Sequence, residues 1–151
     1  MVGSFDASWS GREVDILFLH IENPSAPSIV RSNMVFGEKT LQIAGIQKAV
    51  QSFVSLLLTR RGTSARADLG TDFITAAQQG RIRTNADLQN QTALASSDAV
   101  RQVNQQAVRP DERIASAVLL SSAVERQSIT LRIRVTTEAG SRAVFLVPIE
   151  R

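Results

Sequence analysis

Gln127-Ser-Ile-Thr-Leu-Arg-Ile-Arg-Val-Thr-Thr137 decides the fold. Ile129, Leu131, Ile133 and Val135 alternate with Thr130, Arg132, Arg134 and Thr136. A period of two puts one set on a buried face and the other outward, which is the pattern of a strand. The segment just before it, Ile114–Val124, is apolar and small-residue-rich and reads as a preceding strand. After it, Glu138-Ala139-Gly140-Ser141 supplies turn chemistry, and Ala143–Ile149 reads as a third strand. Three consecutive strands with short connections make an antiparallel meander.

Working back from the meander, helical spacing takes over. Between Ile43 and Thr59, the residues Ile46, Ala49, Val50, Phe53, Val54 and Leu57 form the stripe of a helix packed on one side. Gln47, Lys48, Gln51, Ser52 and Ser55 are expected on the other side, and Gly62, after Arg60 and Arg61, is expected to end the helix. Asp72–Gln79 reads as a short helix closed by Gly80. The segment 81–94 is polar, with helix starting after Thr84 as one option. Ser97 followed by Asp98 predicts the start of a further helix that runs to Val108 and stops before Pro110. Further upstream, Glu13–Ile21 and Ser28–Phe36 flank Asn23-Pro24-Ser25-Ala26-Pro27 and predict an N-terminal hairpin. The expected class is α+β: helices followed by a three-stranded antiparallel meander, with an added hairpin. The expected division is a lead-in and hairpin over 1–42 and an α+β domain over 43–151.

Composition narrows the chemistry. There is no cysteine, which removes disulfides, thiolate nucleophiles and cysteine zinc sites. The lone histidine, His20, falls in a predicted strand and is read as structural. No glycine-rich phosphate loop is present. Paired carboxylates for glycosidic cleavage would have to be Asp68 with Asp72, or Asp111 with Glu112. The first pair lies among arginines, which favour the charged carboxylate over a proton donor. The second pair, adjacent in an extended segment, points to opposite faces. No catalytic residue, cofactor or metal ligand is therefore expected. No run reaches the roughly 18 apolar residues of a membrane span, and Met1–Asp6 lacks the pattern of a signal peptide.

Of 17 basic residues all but Lys39 and Lys48 are arginine, and the net charge is +3. Arginine suits forked hydrogen bonding at protein interfaces; a codon preference gives the same count. A nucleic-acid-binding module with an arginine-lined sheet is the alternative reading. The arginines are scattered, however, and with one tryptophan and no tyrosine a base-stacking platform is poorly supplied. Trp9 is a candidate anchor on a partner, with folding back on its own chain as the other option. In Leu69-Gly70-Thr71-Asp72-Phe73, Gly70 is expected to permit a tight turn, Thr71 or Asp72 to cap the next helix, and Phe73 to plug the core.

Two segments carry a family resemblance. The first is Leu57-Leu58-Thr59-Arg60-Arg61-Gly62-Thr63 with Leu69–Phe73, and the second is Val108-Arg109-Pro110-Asp111-Glu112-Arg113-Ile114, leading into the meander. In this order they resemble the baseplate wedge and sheath-initiator family of contractile phage tails. Relatives of that family occur in type VI secretion systems and contractile toxin-delivery particles. The resemblance spans Ile43 to Ile149. It implies a structural protein of the virion tail baseplate, assembled in the host cytoplasm in six copies. The implied partners are wedge proteins, the tail sheath protein and hub or spike proteins, with no nucleic acid and no membrane. It also implies that Arg113 and Glu112, with Arg109, Pro110 and Asp111, grip the wedge core bundle. The family motif runs Glu-Pro-Arg, whereas here Glu112 adjoins Arg113 and Pro110 comes earlier. By the same resemblance, Gln127–Thr137 and Ala143–Ile149 offer the edge that templates the first sheath ring. Arg132, Arg134, Val144, Leu146 and Ile149 are the strand residues concerned. Some members carry a lysozyme label, which the carboxylates above do not support.

Overall fold

Each helix and each long strand forms where side-chain periodicity gives it one face to bury. The computed structural model describes residues 42–63, 65–66 and 68–150, together with strand segments 15–16, 19–20, 28–29 and 31–32. Trp9 lies outside the described residues. In chain order the elements are β1 (Asp15–Ile16), β2 (Leu19–His20), β3 (Ser28–Ile29), β4 (Arg31–Ser32), β5 (Gln42–Ile43), α1 (Ile46–Leu58), α2 (Phe73–Gln78), α3 (Asn85–Gln106), β6 (Ile114–Val124), β7 (Ser128–Thr137) and β8 (Arg142–Glu150). This is the expected α+β arrangement of helices followed by a meander.

The three long strands pair antiparallel, β6 with β7 and β7 with β8. A fourth, β3, joins the outer edge of β8 in parallel, with Ser28 opposite Phe145 and Ile29 opposite Leu146. The sheet order is β3-β8-β7-β6. The N-terminal hairpin is present as the antiparallel pair β2–β4, but its strand character is divided: β1 pairs with β5 and β3 leaves for the main sheet.

One face of the sheet carries Ile129, Leu131, Ile133 and Val135 from β7 and Ala143, Phe145, Val147 and Ile149 from β8, all buried. Against them pack Ala49, Val50, Phe53, Val54 and Leu57 of α1, with Phe73 from α2 and Leu88, Ala99 and Val103 from α3. Phe53 meets Phe145 edge to face, with ring centroids 6.3 Å apart, the geometry that the ring quadrupoles favour. Gln51 does not follow the expected polar side: it is fully buried, because α1 is packed by α3 as well as by the sheet.

The third helix departs most from expectation. It starts at Asn85 and runs unbroken to Gln106, so Ser97 is interior to it. Thr84 Oγ1 accepts the Asp87 N–H at 3.1 Å and Asp87 Oδ2 accepts the Thr84 N–H at 3.2 Å. This reciprocal capping box outcompetes Ser97 as the start signal. Small side chains, Ala95, Ser96 and Ala99, then let the helix lie close against its neighbours. Asp98 pairs with Arg61 and Arg101.

The bonds from the Arg83 and Thr84 N–H groups hold the Asp87 carboxyl below its ordinary value of 3.8. A depressed folded pKa adds stability that is present above the unfolded value and lost as pH falls through the folded one. Asp87→Asn should therefore flatten the acid limb of the stability curve below about pH 4, read by urea denaturation across pH. Thr84→Ala should cost about 1 kcal/mol at neutral pH.

Candidate docking surface

The helix-to-strand corner, 108–114, was expected to grip a partner, and its geometry is intramolecular at two of its charged residues. Glu112 is buried, with 6% of its surface exposed. Its Oε1 accepts the N–H of Gly45, the residue before α1, at 3.3 Å, across 67 residues of sequence. Its Oε2 lies 3.6 Å from Lys48 Nζ. A carboxylate at a helix N-terminus meets unpaired N–H groups and the positive end of the dipole. Arg113 does the converse. Its Nη1 donates to the carbonyls of Asn104 and Ala107, at 2.8 and 3.1 Å, at the C-terminal end of α3. Its Nε donates to Glu138 in the β7–β8 turn at 3.2 Å. Adjacent residues of opposite charge thus cap opposite ends of two different helices.

Around them the backbone is stitched. The Asn104 side chain donates to the Ile114 carbonyl at 2.9 Å and accepts the Ile114 N–H at 2.8 Å, so α3 closes the first residue of β6. Glu138 N–H donates to Arg113 O, and Ala139 N–H to Pro110 O. Asp111 lies 3.8 Å from Arg109. What the corner leaves outward is Val108, 87% exposed, with Arg109 and Pro110.

Gly70 is structural in the manner expected. Its φ is +98°, and a Cβ there would lie 2.5 Å from Thr59 O. Buried Gln102 clasps it from both sides, accepting its N–H at 2.9 Å and donating to its carbonyl at 2.8 Å. Thr71 Oγ1 donates to Leu57 O at 2.9 Å. Asp72 precedes α2 without a side-chain cap bond, and Phe73 is in the core. Helix α1 ends at Leu58, so Arg60 and Arg61 lie past its last turn. Arg61 reaches Asp98 at 2.7 Å and Asp72 at 3.4 Å; the Asp98 hydrogen bond is the main cause of its raised pKa. Arg60 donates to Gln78, and Asp68 pairs with Arg66.

The strand residues divide by face. Arg134 lies between Val118 and Val144, and Arg132 between Ser121 and Leu146, all on the outer face of the sheet. Both arginines are half-buried, and Arg132 Nε has no hydrogen-bond partner. Ile149 belongs to the buried inner face instead. A larger correction concerns edges. β7 is the interior strand, with ladders on both sides, so it offers no edge. The outermost strands are β6 and the short β3, which covers β8 over two residues.

Backbone parity fixes what those edges present. Glu125 N–H donates to Ser128 O and Glu138 N–H to Arg113 O, so even-numbered residues of β7 face β6; Thr137 N–H donates to Ser141 O, so odd-numbered ones face β8. Through the register, Val144, Leu146 and Pro148 turn their backbone groups away from β7. Pro148 fits this assignment, since a strand proline needs its nitrogen on the open side. Among the described residues no group of three His, Cys, Asp or Glu side chains could hold a metal, and no helix is long and apolar enough to cross a membrane.

No local signal marks Asn104, Gln102, Lys48 or Glu138, whose partners lie in other elements of the fold. Removing Glu112 with an alanine should cost about 1–3 kcal/mol, since the half-buried Gly45 N–H loses its acceptor and Lys48 loses one contact. Arg113→Ala should cost about 1–2 kcal/mol, whereas Arg109→Ala should stay within about 0.5 kcal/mol. Gly70→Ala should lose at least about 2 kcal/mol through strain and collision. Thermal and urea unfolding of the four variants checks the order. Comparison of the chain with protein-family models, with curated proteins and with solved structures finds no match.

Proposed function

We propose that this chain is a structural baseplate protein of a contractile tail, which binds the wedge core and templates the first sheath ring by strand pairing. The observation that carries the reading is the outer edge of β8. That edge already accepts a strand from outside the meander, β3, over two residues in parallel. An edge that takes a short strand from its own chain has the groups to take one from a partner. A partner strand would take the place of β3: Leu146, which β3 now covers, and Val144 beside it are the outward-facing residues whose backbone would receive it, and Arg132 and Arg134 line the outer face beside it. The wedge contact falls on Val108, Arg109 and Pro110, because Glu112 and Arg113 are engaged within the chain.

Deleting β8 would not test this, since Phe145, Val147 and Ile149 are core residues. Leu146→Pro is the sharper change: it removes the outward N–H at the place where β3 pairs, and where a partner strand would replace it, and leaves the ladder to β7 intact. Co-expressed with the sheath and wedge proteins of the same genome, the variant should fold and still bind wedge protein but fail to nucleate sheath polymer. Normal sheath growth on the variant, or a genome with no sheath protein, would contradict the proposal. Binding to nucleic acid that weakens steeply with salt would favour the arginine-lined-sheet alternative.

A further inference from the structure

The outer face of the sheet carries charge that the fold does not neutralise. Among the described side chains four arginines are half-buried: Arg61, Arg113, Arg132 and Arg134. Arg61 pairs with Asp98 and Asp72, and Arg113 with Glu138. No ion pair among the described residues reaches Arg132 or Arg134. The Nε of Arg132 is buried and makes no hydrogen bond. A guanidinium drawn partly out of water without a partner loses hydration and recovers nothing for it. The exposed arginines bear no such cost.

The neighbours of these two arginines are apolar on both sides. Val118 and Val144 flank Arg134, and Ser121 and Leu146 flank Arg132. Val118 is 39% exposed, and Leu120, in the bulge between Leu119 and Ser121, is 40% exposed. Arg142 adds positive charge at one end of the face, opposite Thr136. Alternate residues of a strand put Arg132 and Arg134 about 6.5–7 Å apart along β7. Two strand spacings separate β6 from β8 by about 10 Å, the width of an α-helix with its side chains. The three described helices pack on the other face of the sheet, in the core.

We infer that this face docks an acidic amphipathic helix of another protein, laid along β7. Carboxylates one turn apart on that helix meet Arg132 and Arg134, and its apolar side chains cover Val118, Leu120, Val144 and Leu146. One turn advances a helix by about 6 Å, close to the spacing of the two arginines. A guanidinium fork binds a carboxylate through two parallel bonds, which adds both energy and orientation. A second copy of this chain does not supply the helix. Face to face, it brings arginines against arginines. Its α1 and α2 contain no acidic residue, and in α3 Asp87 and Asp98 lie far apart and are already engaged. A nucleic acid fits less well, since the flanks are apolar and not cationic or aromatic, and Glu125 and Glu150 stand beside Arg126 at one end of the sheet. The inference does not rest on the baseplate reading, and it uses the face of the sheet and not the edge of β8.

The probe is a helical peptide about four turns long, with glutamates one turn apart on a leucine-lined side, titrated into the full chain and followed by calorimetry and NMR. It should bind and shift the Nε–H signals of Arg132 and Arg134, and a version with lysine for glutamate should not bind. R132Q/R134Q should melt no lower than the native chain, because no partner is lost, yet should weaken binding at least about tenfold. R132E/R134E should take the lysine peptide instead. A glutamate peptide that binds elsewhere or not at all, or equally to R132Q/R134Q, overturns the inference. So does tighter binding of a single-stranded oligonucleotide than of the peptide, or a dimer of the native chain that R132Q/R134Q abolishes. Contacts from the two guanidinium groups to residues before Asp15 in the free chain overturn it as well, since the face is then filled from within. If R132E/R134E does not fold, the glutamine pair decides.

Discussion

Two neighbouring charges, Glu112 and Arg113, hold the helices to the sheet. One reaches the start of α1 and the other the end of α3, where each meets the helix-dipole end of opposite sign. Because they are consecutive, the corner between α3 and β6 cannot shift without breaking both. Arg113 also fixes the β7–β8 turn through Glu138, and Asn104 sets where β6 begins. The register of the meander, and with it the identity of each outward-facing backbone group, follows from this anchor. A side-chain pair that family resemblance casts as a grip on a partner is here the fastening of the chain to itself.

That fastening leaves the molecule with two unlike sheet edges. β8 is guarded by charge and proline and carries a short strand from the N-terminal segment. β6 has neither charge nor proline from Ile114 to Val124, and α3 packs along it, with Asn104 closing its first residue. The outer face adds two half-buried arginines, Arg134 between Val118 and Val144 and Arg132 between Ser121 and Leu146.

Much of the fold was legible in the sequence. The alternation in β7, the turn at Gly140 and the stripe of α1 depend on local periodicity, and they appear where the periodicity puts them. The start of α3 was misread because Ser97-Asp98 has cap chemistry, whereas Thr84 and Asp87 form the cap through two reciprocal bonds visible only in space. Gln51 looked polar-facing because one helix was imagined on one surface, not between two. The site was less legible for a related reason. Glu112 and Gln102 act on groups far away in the chain, Arg113 and Asn104 bridge separate elements, and nothing in their immediate neighbours marks the partner. The interior position of β7 likewise depends on sheet order, which period-two alternation does not encode.

The central claim is that a foreign strand completes the β8 edge. Residue-resolved amide hydrogen exchange, measured on the full chain with and without the sheath protein of the same genome, tests it most directly. The account predicts that β7 is slow to exchange in both states, and that Val144, next to the residues that β3 covers, slows markedly only when sheath protein is added. Unchanged exchange along β8, with new protection confined to other parts of the chain, would contradict it.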